Sequence, residues 1–97
     1  MASKVRAIGV AWFRPEDYQR IREISDDEMI PTFEEFEAKM TKFLARQAAP
    51  GVILEKVFID PDELLAFARR FHAGKIDTNV RGQFAARVVM KKYGTDH

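Results

Sequence analysis

Two apolar runs organise the chain, and each stops at a proline-led polar cluster. Ala7 to Phe13 ends at Arg14-Pro15-Glu16-Asp17, and the mostly apolar Ile53 to Ile59 ends at Asp60-Pro61-Asp62-Glu63. The first predicts a strand over Val5–Phe13, with Ala7, Gly9, Ala11 and Phe13 on one side and Arg6, Ile8, Val10 and Trp12 on the other. The second predicts a strand over Val52–Ile59. Neither alternates cleanly between apolar and polar, so both faces of each strand are expected to be largely covered. The small residues Ala7, Gly9 and Ala11 would let a helix approach the strand backbone closely.

Four stretches carry helical periodicity. A first helix starts at Pro15, where the missing N–H is unpaired in any case, and buries Tyr18, Ile21 and Ile24 before Asp26-Asp27-Glu28 ends it. A second begins at Thr32 with a capping box, in which the Thr hydroxyl accepts from the Glu35 N–H and the Glu35 carboxylate bonds back to the Thr N–H. Its stripe is Phe33, Phe36, Met40, Phe43 and Leu44, and Pro50-Gly51 closes it. A third is capped by Asp60, carries Pro61 in its first turn, faces Leu64, Phe67, Ala68 and Phe71 inward, and stops at Gly74. A fourth is capped by Thr78, buries Val80, Phe84, Val88 and Val89, and ends at Gly94. Gly82 inside it predicts a place where another backbone comes close. Phe36, Met40, Phe43, Phe67, Phe71 and Phe84 are expected to form one core.

The strand, the proline-led helix and the Thr-capped helix therefore occur twice, at an offset of 46 residues, with Pro15/Pro61, Ile30/Ile76 and Thr32/Thr78 in step. The expected fold is α+β in the order β-α-α-β-α-α: a two-stranded, antiparallel sheet with four helices. Within a single domain spanning 1–97, residues 5–47 and 51–93 are either repeat units about a pseudo-twofold axis or two similar solutions to the same problem, how to leave a strand and start a helix. Two strands leave two open edges, which a second copy would cover.

Composition narrows the function classes. With 46% apolar and 32% charged residues in 97, the chain reads as globular. No cysteine is present, which removes disulfides, thiolate metal sites and thiol catalysis. No apolar stretch has the length of a membrane span or a signal segment, so a soluble cytoplasmic protein is expected. Net charge is +1, but the charges are segregated. Residues 16–37 hold Glu16, Asp17, Glu23, Asp26, Asp27, Glu28, Glu34, Glu35 and Glu37 against Arg20 and Arg22, while 64–93 hold Arg69, Arg70, Lys75, Arg81, Arg87, Lys91 and Lys92 against Asp77 alone. Such a split suits solvated helix faces, a charge-complementary self-interface or an anionic partner.

Few residues suggest chemistry. His72 is the only histidine away from the C-terminus, and neither Ser3 nor Ser25 sits in a nucleophile elbow. His72 reads as a partly exposed residue in the last turn of the third helix. Asp26-Asp27-Glu28 lacks calcium-loop spacing and reads as a solvated acidic turn. No catalytic, cofactor or metal residue is assigned, and no cofactor is expected. The third and fourth helices form a helix-turn-helix-like pair, so Arg81, Arg87, Lys91 and Lys92 are candidate nucleic-acid contacts, with Asn79 and Gln83 beside them. Trp12, Phe58 and Tyr18 cluster near the strand ends as candidate interface or pocket aromatics, with core packing as the plain alternative.

Ala11-Trp12-Phe13-Arg14-Pro15-Glu16-Asp17-Tyr18, Pro31-Thr32-Phe33-Glu34-Glu35-Phe36 and Phe58-Ile59-Asp60-Pro61-Asp62 together resemble a pattern in small uncharacterised bacterial proteins with no assigned activity. The resemblance implies a bacterial cytoplasmic protein and transfers no site residue. The leading expectation is a small non-catalytic protein that acts through self-association or protein–protein contact, as a homodimer. The alternatives are a nucleic-acid-binding regulator acting through the last helix, and a small-ligand-binding module or enzyme subunit.

Overall fold

The computed structural model describes residues 6–93; Val5 and the stop at Gly94 lie outside them. Six elements follow one another: β1 (Arg6–Trp12), α1 (Pro15–Ile24), α2 (Phe33–Gln47), β2 (Val52–Phe58), α3 (Pro61–Phe71) and α4 (Thr78–Tyr93). The α+β class and the β-α-α-β-α-α order are as the sequence predicts.

Strand direction is not. β1 and β2 pair in parallel, with Arg6 opposite Val52 and Trp12 opposite Phe58. A dyad that would reverse one strand against the other is therefore excluded. Parallel neighbours need a long crossover, and α1 and α2 supply one, returning the chain to the end of the sheet where it began. The two halves also pack differently. α4 lies flat across the sheet, whereas α2 meets the body of the protein mainly through its N-terminal half.

Local signals placed the helix ends well. Pro15 and Pro61 both occupy first turns, and Asp60 Oδ2 accepts from the Glu63 N–H at 3.0 Å. Thr32 Oγ1 accepts from the Glu35 N–H at 3.1 Å, but its hydroxyl also donates to Glu35 Oε1 at 3.0 Å, so the carboxylate bonds to the side chain and not to the Thr32 N–H. At α4 the cap is Asp77, one residue earlier than expected. Asp77 Oδ1 accepts from the Val80 N–H at 2.9 Å, while the Thr78 N–H donates to Asp27. The 46-residue correspondence therefore slips at its last element. α3 ends in a left-handed pair, Ala73 (φ 54°) and Gly74 (φ 85°), with the Gly74 N–H reaching back to the Ala68 carbonyl at 2.9 Å.

The core differs from the six-residue set expected. It is built on Trp12, Phe13, Tyr18, Ile21, Ile59, Leu64, Ala68 and Ile76, with Phe36 and Phe84 buried among them. Met40 and Phe67 are half-buried, whereas Phe43 and Phe71 are exposed at 43% and 48%. Val88 is exposed as well, because α4 uses two rows: Arg81, Ala85 and Val89 are buried alongside Val80 and Phe84. Ala85 and Val89 pack on Ala7, Ala11 and Val57, forming a second small core on the α4 side of the sheet. Gly9 makes that contact possible, as a Cβ there would lie 2.4 Å from the Ala85 carbonyl oxygen. The expected close approach at Gly82 is absent, since nothing lies within 4 Å of where its Cβ would be.

Candidate functional site

Of the candidate aromatics, Trp12 and Tyr18 belong to the core and Phe58 does not. Phe36 sits at the centre of an aromatic group, 5.2 Å from Trp12, 5.1 Å from Phe13 and 5.4 Å from Tyr18 between ring centroids. The buried Tyr18 hydroxyl donates to the Ile30 carbonyl at 2.7 Å, and burial raises its pKa. Phe58 is 51% exposed.

The basic helix divides in the same way. Arg81 leaves the solvent face altogether: it is buried, with both guanidinium nitrogens on Asp27 at 2.8 Å and Nη1 also on Ser25 Oγ at 3.0 Å. As an exposed nucleic-acid contact it is corrected to a structural residue. Ser25 is occupied too, its hydroxyl donating to the Ile21 carbonyl at 2.7 Å. Lys92 Nζ meets Glu55 Oε2 at 2.6 Å, and the Tyr93 hydroxyl donates to Glu55 Oε1 at 2.6 Å. These bonds lower the Glu55 pKa and raise those of Lys92 and Tyr93. Arg87 and Lys91 make no ion pair among the described residues.

The acidic turn is exposed at Asp26 and Glu28, as its composition suggested, but it is also bonded to the start of α4. Asp26 exchanges two bonds with Ile76, its N–H donating to the Ile76 carbonyl at 2.7 Å and its Oδ2 accepting from the Ile76 N–H at 2.8 Å. Asp27 accepts from the Thr78 N–H at 3.1 Å as well as from Arg81, and those bonds hold its pKa below the usual carboxylate range. The turn after α1 is thus a clamp on the start of α4. One signal for it was present in the sequence: Arg81 shares an i, i+4, i+8 row with Ala85 and Val89, an odd place for an unpartnered cation.

Among the described residues neither sheet edge pairs with a further strand, and the edge geometry follows from two end bonds. The Arg6 N–H donates to the Gly51 carbonyl at 2.8 Å, and the Ile59 N–H donates to the Trp12 carbonyl at 3.0 Å. Backbone groups alternate in direction along a strand, so Arg6, Ile8, Val10 and Trp12 turn toward β2 and Ala7, Gly9 and Ala11 turn away. On β2 it is Leu54, Lys56 and Phe58 that point outward. The β1 edge lines an open cavity of about 690 Å³ between α2 and the first turns of α4, walled by Ile8, Val10, Met40, Phe43 and Gly82. The β2 edge has no such walls. Ile53 and Phe58, on opposite faces, are exposed beside it, and Ile8 is 40% exposed one strand in. Lys56 Nζ lies over the Trp12 ring, 4.2 Å from its centroid.

A second cavity, of about 670 Å³, opens between α3 and α4. His72 forms part of its wall; it is only partly exposed, as expected, but its Nε2 is buried with no hydrogen-bond partner.

Among the described residues no group of three or more His, Asp or Glu side chains is placed to hold a metal ion, and no helix is long and apolar enough to cross a membrane. No protein-family model, curated protein or solved structure matches the chain.

Proposed function

We propose that the protein acts through association, and that the β2 edge joins two copies into a four-stranded sheet. The observation that carries this reading is the outer edge of β2: Leu54, Lys56 and Phe58 turn their backbone groups away from β1, with Ile53 and Phe58 exposed on either face. An uncovered edge flanked by apolar side chains is a template for another strand, and a sheet of two strands is marginal without additions. The radius of gyration, 14.3 Å, exceeds the roughly 12.5 Å of a compact domain of this length. A second copy supplies the surface that an elongated monomer lacks.

The pairing is antiparallel about a twofold axis, because an isologous contact brings each strand against its own copy. Charge removes two registers, and of the rest the one centred on Leu54 is proposed. Centring the axis on Glu55 or on Lys56 would face like charges across it, which is destabilising. Centring it on Leu54 sets leucine against leucine and Lys56 against Val52.

Light scattering at micromolar concentration tests this, with an expected mass of twice 11.2 kDa. Ile53→Glu combined with Phe58→Glu should give a folded monomer by circular dichroism, because the carboxylate placed at position 53 would face Glu55 of the second copy across the seam. A monomer in both low and high salt, or a double variant that still dimerises, overturns the reading.

A further inference from the structure

The groove between α3 and α4 is lined by no β2 residue and does not depend on self-association. Its floor is Phe67, Phe71 and Met90, and its α4 wall carries Gln83, Ala86, Arg87 and Lys91. Phe67 stacks edge-on against the buried Phe84, with centroids 5.5 Å apart and planes at 88°, and it lies 5.3 Å from Phe71. The floor is therefore anchored to the core at one end and wet at the other, where Phe71 and Met90 are both exposed. Phe71 was expected inside. It is outside, half exposed, with the guanidinium groups of Arg70 and Arg87 beside its ring in place of an apolar surface.

Charge at the groove is one-sided. The Arg87 guanidinium lies 4.9 Å from the Phe71 ring centroid, and that of Arg70 lies 5.3 Å from it. Lys91 is one turn beyond Arg87 on the same face of α4. Among the described residues none of the three has a carboxylate partner, and no acidic side chain lines the groove. His72 Nε2, buried in the wall with no hydrogen-bond partner, leaves the polarity of the site unsatisfied as well. The volume, about 670 Å³, falls in the range of small-molecule sites. Exposed aromatic and thioether surface beside unpaired cations is the complement of a molecule with an apolar body and one anionic head.

We propose that the α3–α4 groove binds an anionic amphiphile, its chain or ring lying on Phe67, Phe71 and Met90 and its carboxylate held between Arg87 and Lys91. Guanidinium and ammonium donors to a carboxylate form charge-assisted hydrogen bonds, while the apolar floor discriminates against small hydrophilic anions. A mechanism of this kind requires both halves of the ligand.

Calorimetry and amide-shift mapping on the full chain, with decanoate as the probe, test the proposal. Decanoate should bind with saturable shifts confined to residues 67–72 and 83–91. Decanol, which keeps the chain without the charge, should bind at least tenfold more weakly, and acetate should not bind. Arg87→Gln with Lys91→Gln should bring decanoate down to the affinity of decanol and leave decanol unchanged. Both substitutions are on exposed or groove-facing positions, and the fold of the double variant is checked by its amide spectrum. Equal affinity for decanol and decanoate, or shifts centred elsewhere, would overturn the assignment. So would a single-stranded oligothymidylate that binds the same residues while decanoate does not, because the site would then be a nucleic-acid surface. Repeating the titration with the Ile53→Glu, Phe58→Glu variant separates this site from dimer formation: decanoate affinity should stay within threefold.

Discussion

Asp27 and Arg81, 54 residues apart, meet through two hydrogen bonds of 2.8 Å and tie the turn after α1 to the first turns of α4. Arg81 is almost fully buried and Asp27 is partly so, so the pair lies where water screens it weakly. Ser25 and the Thr78 N–H complete its bonding. The connection fixes where α4 begins its path across the sheet.

Asp27→Asn should cost about 1.5–3 kcal/mol, the range for hydrogen bonds to a charged group, because Arg81 would stay buried without its countercharge. The pH dependence has a definite sign. The Asp27 pKa is lowered in the fold, so its contribution is present above the ordinary carboxylate range and is lost as pH falls through that range to the depressed folded value. Urea melts of both proteins between neutral and acid pH should show a gap that narrows on acidification. A gap independent of pH would remove the charge from the explanation.

Gly9 and Gly82 should respond to alanine in opposite directions. At Gly9 the new Cβ would meet the Ala85 carbonyl oxygen at 2.4 Å and Val89 Cγ2 at 2.9 Å, forcing α4 off the sheet. Overpacking of this kind costs about 1–3 kcal/mol. At Gly82 the space is open, and alanine should stabilise the helix by about 1 kcal/mol. Thermal melts of the two variants check the contrast, and loss of stability at Gly82 would mean that its backbone freedom is needed.

Thr32→Ala should destabilise by about 0.5–2 kcal/mol, as loss of an N-cap does. Thr41, exposed on the same helix, should tolerate alanine within about 0.5 kcal/mol. Denaturant midpoints at equal slope measure the difference, and equal effects would deny the cap its role.

Several features were legible from residues only a few positions apart. Pro15, Pro61, Asp60 and Thr32 mark helix starts, Gly74 marks a stop, and the small Ala7-x-Gly9-x-Ala11 row announces a helix lying against the strand. The candidate site was much less legible. Phe71 falls on the inward stripe of α3, and no local pattern says that its ring will lie beside Arg70 and Arg87 instead of in the core. Arg81 sits among basic neighbours that suggest a solvent face, yet its row on α4 is the one pressed against the sheet. The bonding of the acidic turn was hidden because its partners, Ile76, Thr78 and Arg81, are 50 or more residues away.

By itself the sequence determined the six elements, their order and most of their ends. Proline geometry, side-chain caps and left-handed glycine act within one or two turns of backbone. Tertiary structure alone decided that the strands run parallel, that α2 is covered mainly at its N-terminal half, and that the α3–α4 groove is open. Strand direction depends on the path of a crossover nearly forty residues long, and coverage depends on how helices pack once that path is taken. Those choices are settled by contacts between residues far apart in the chain, such as Asp27 with Arg81 and Gly9 with Ala85, where local propensity has no influence.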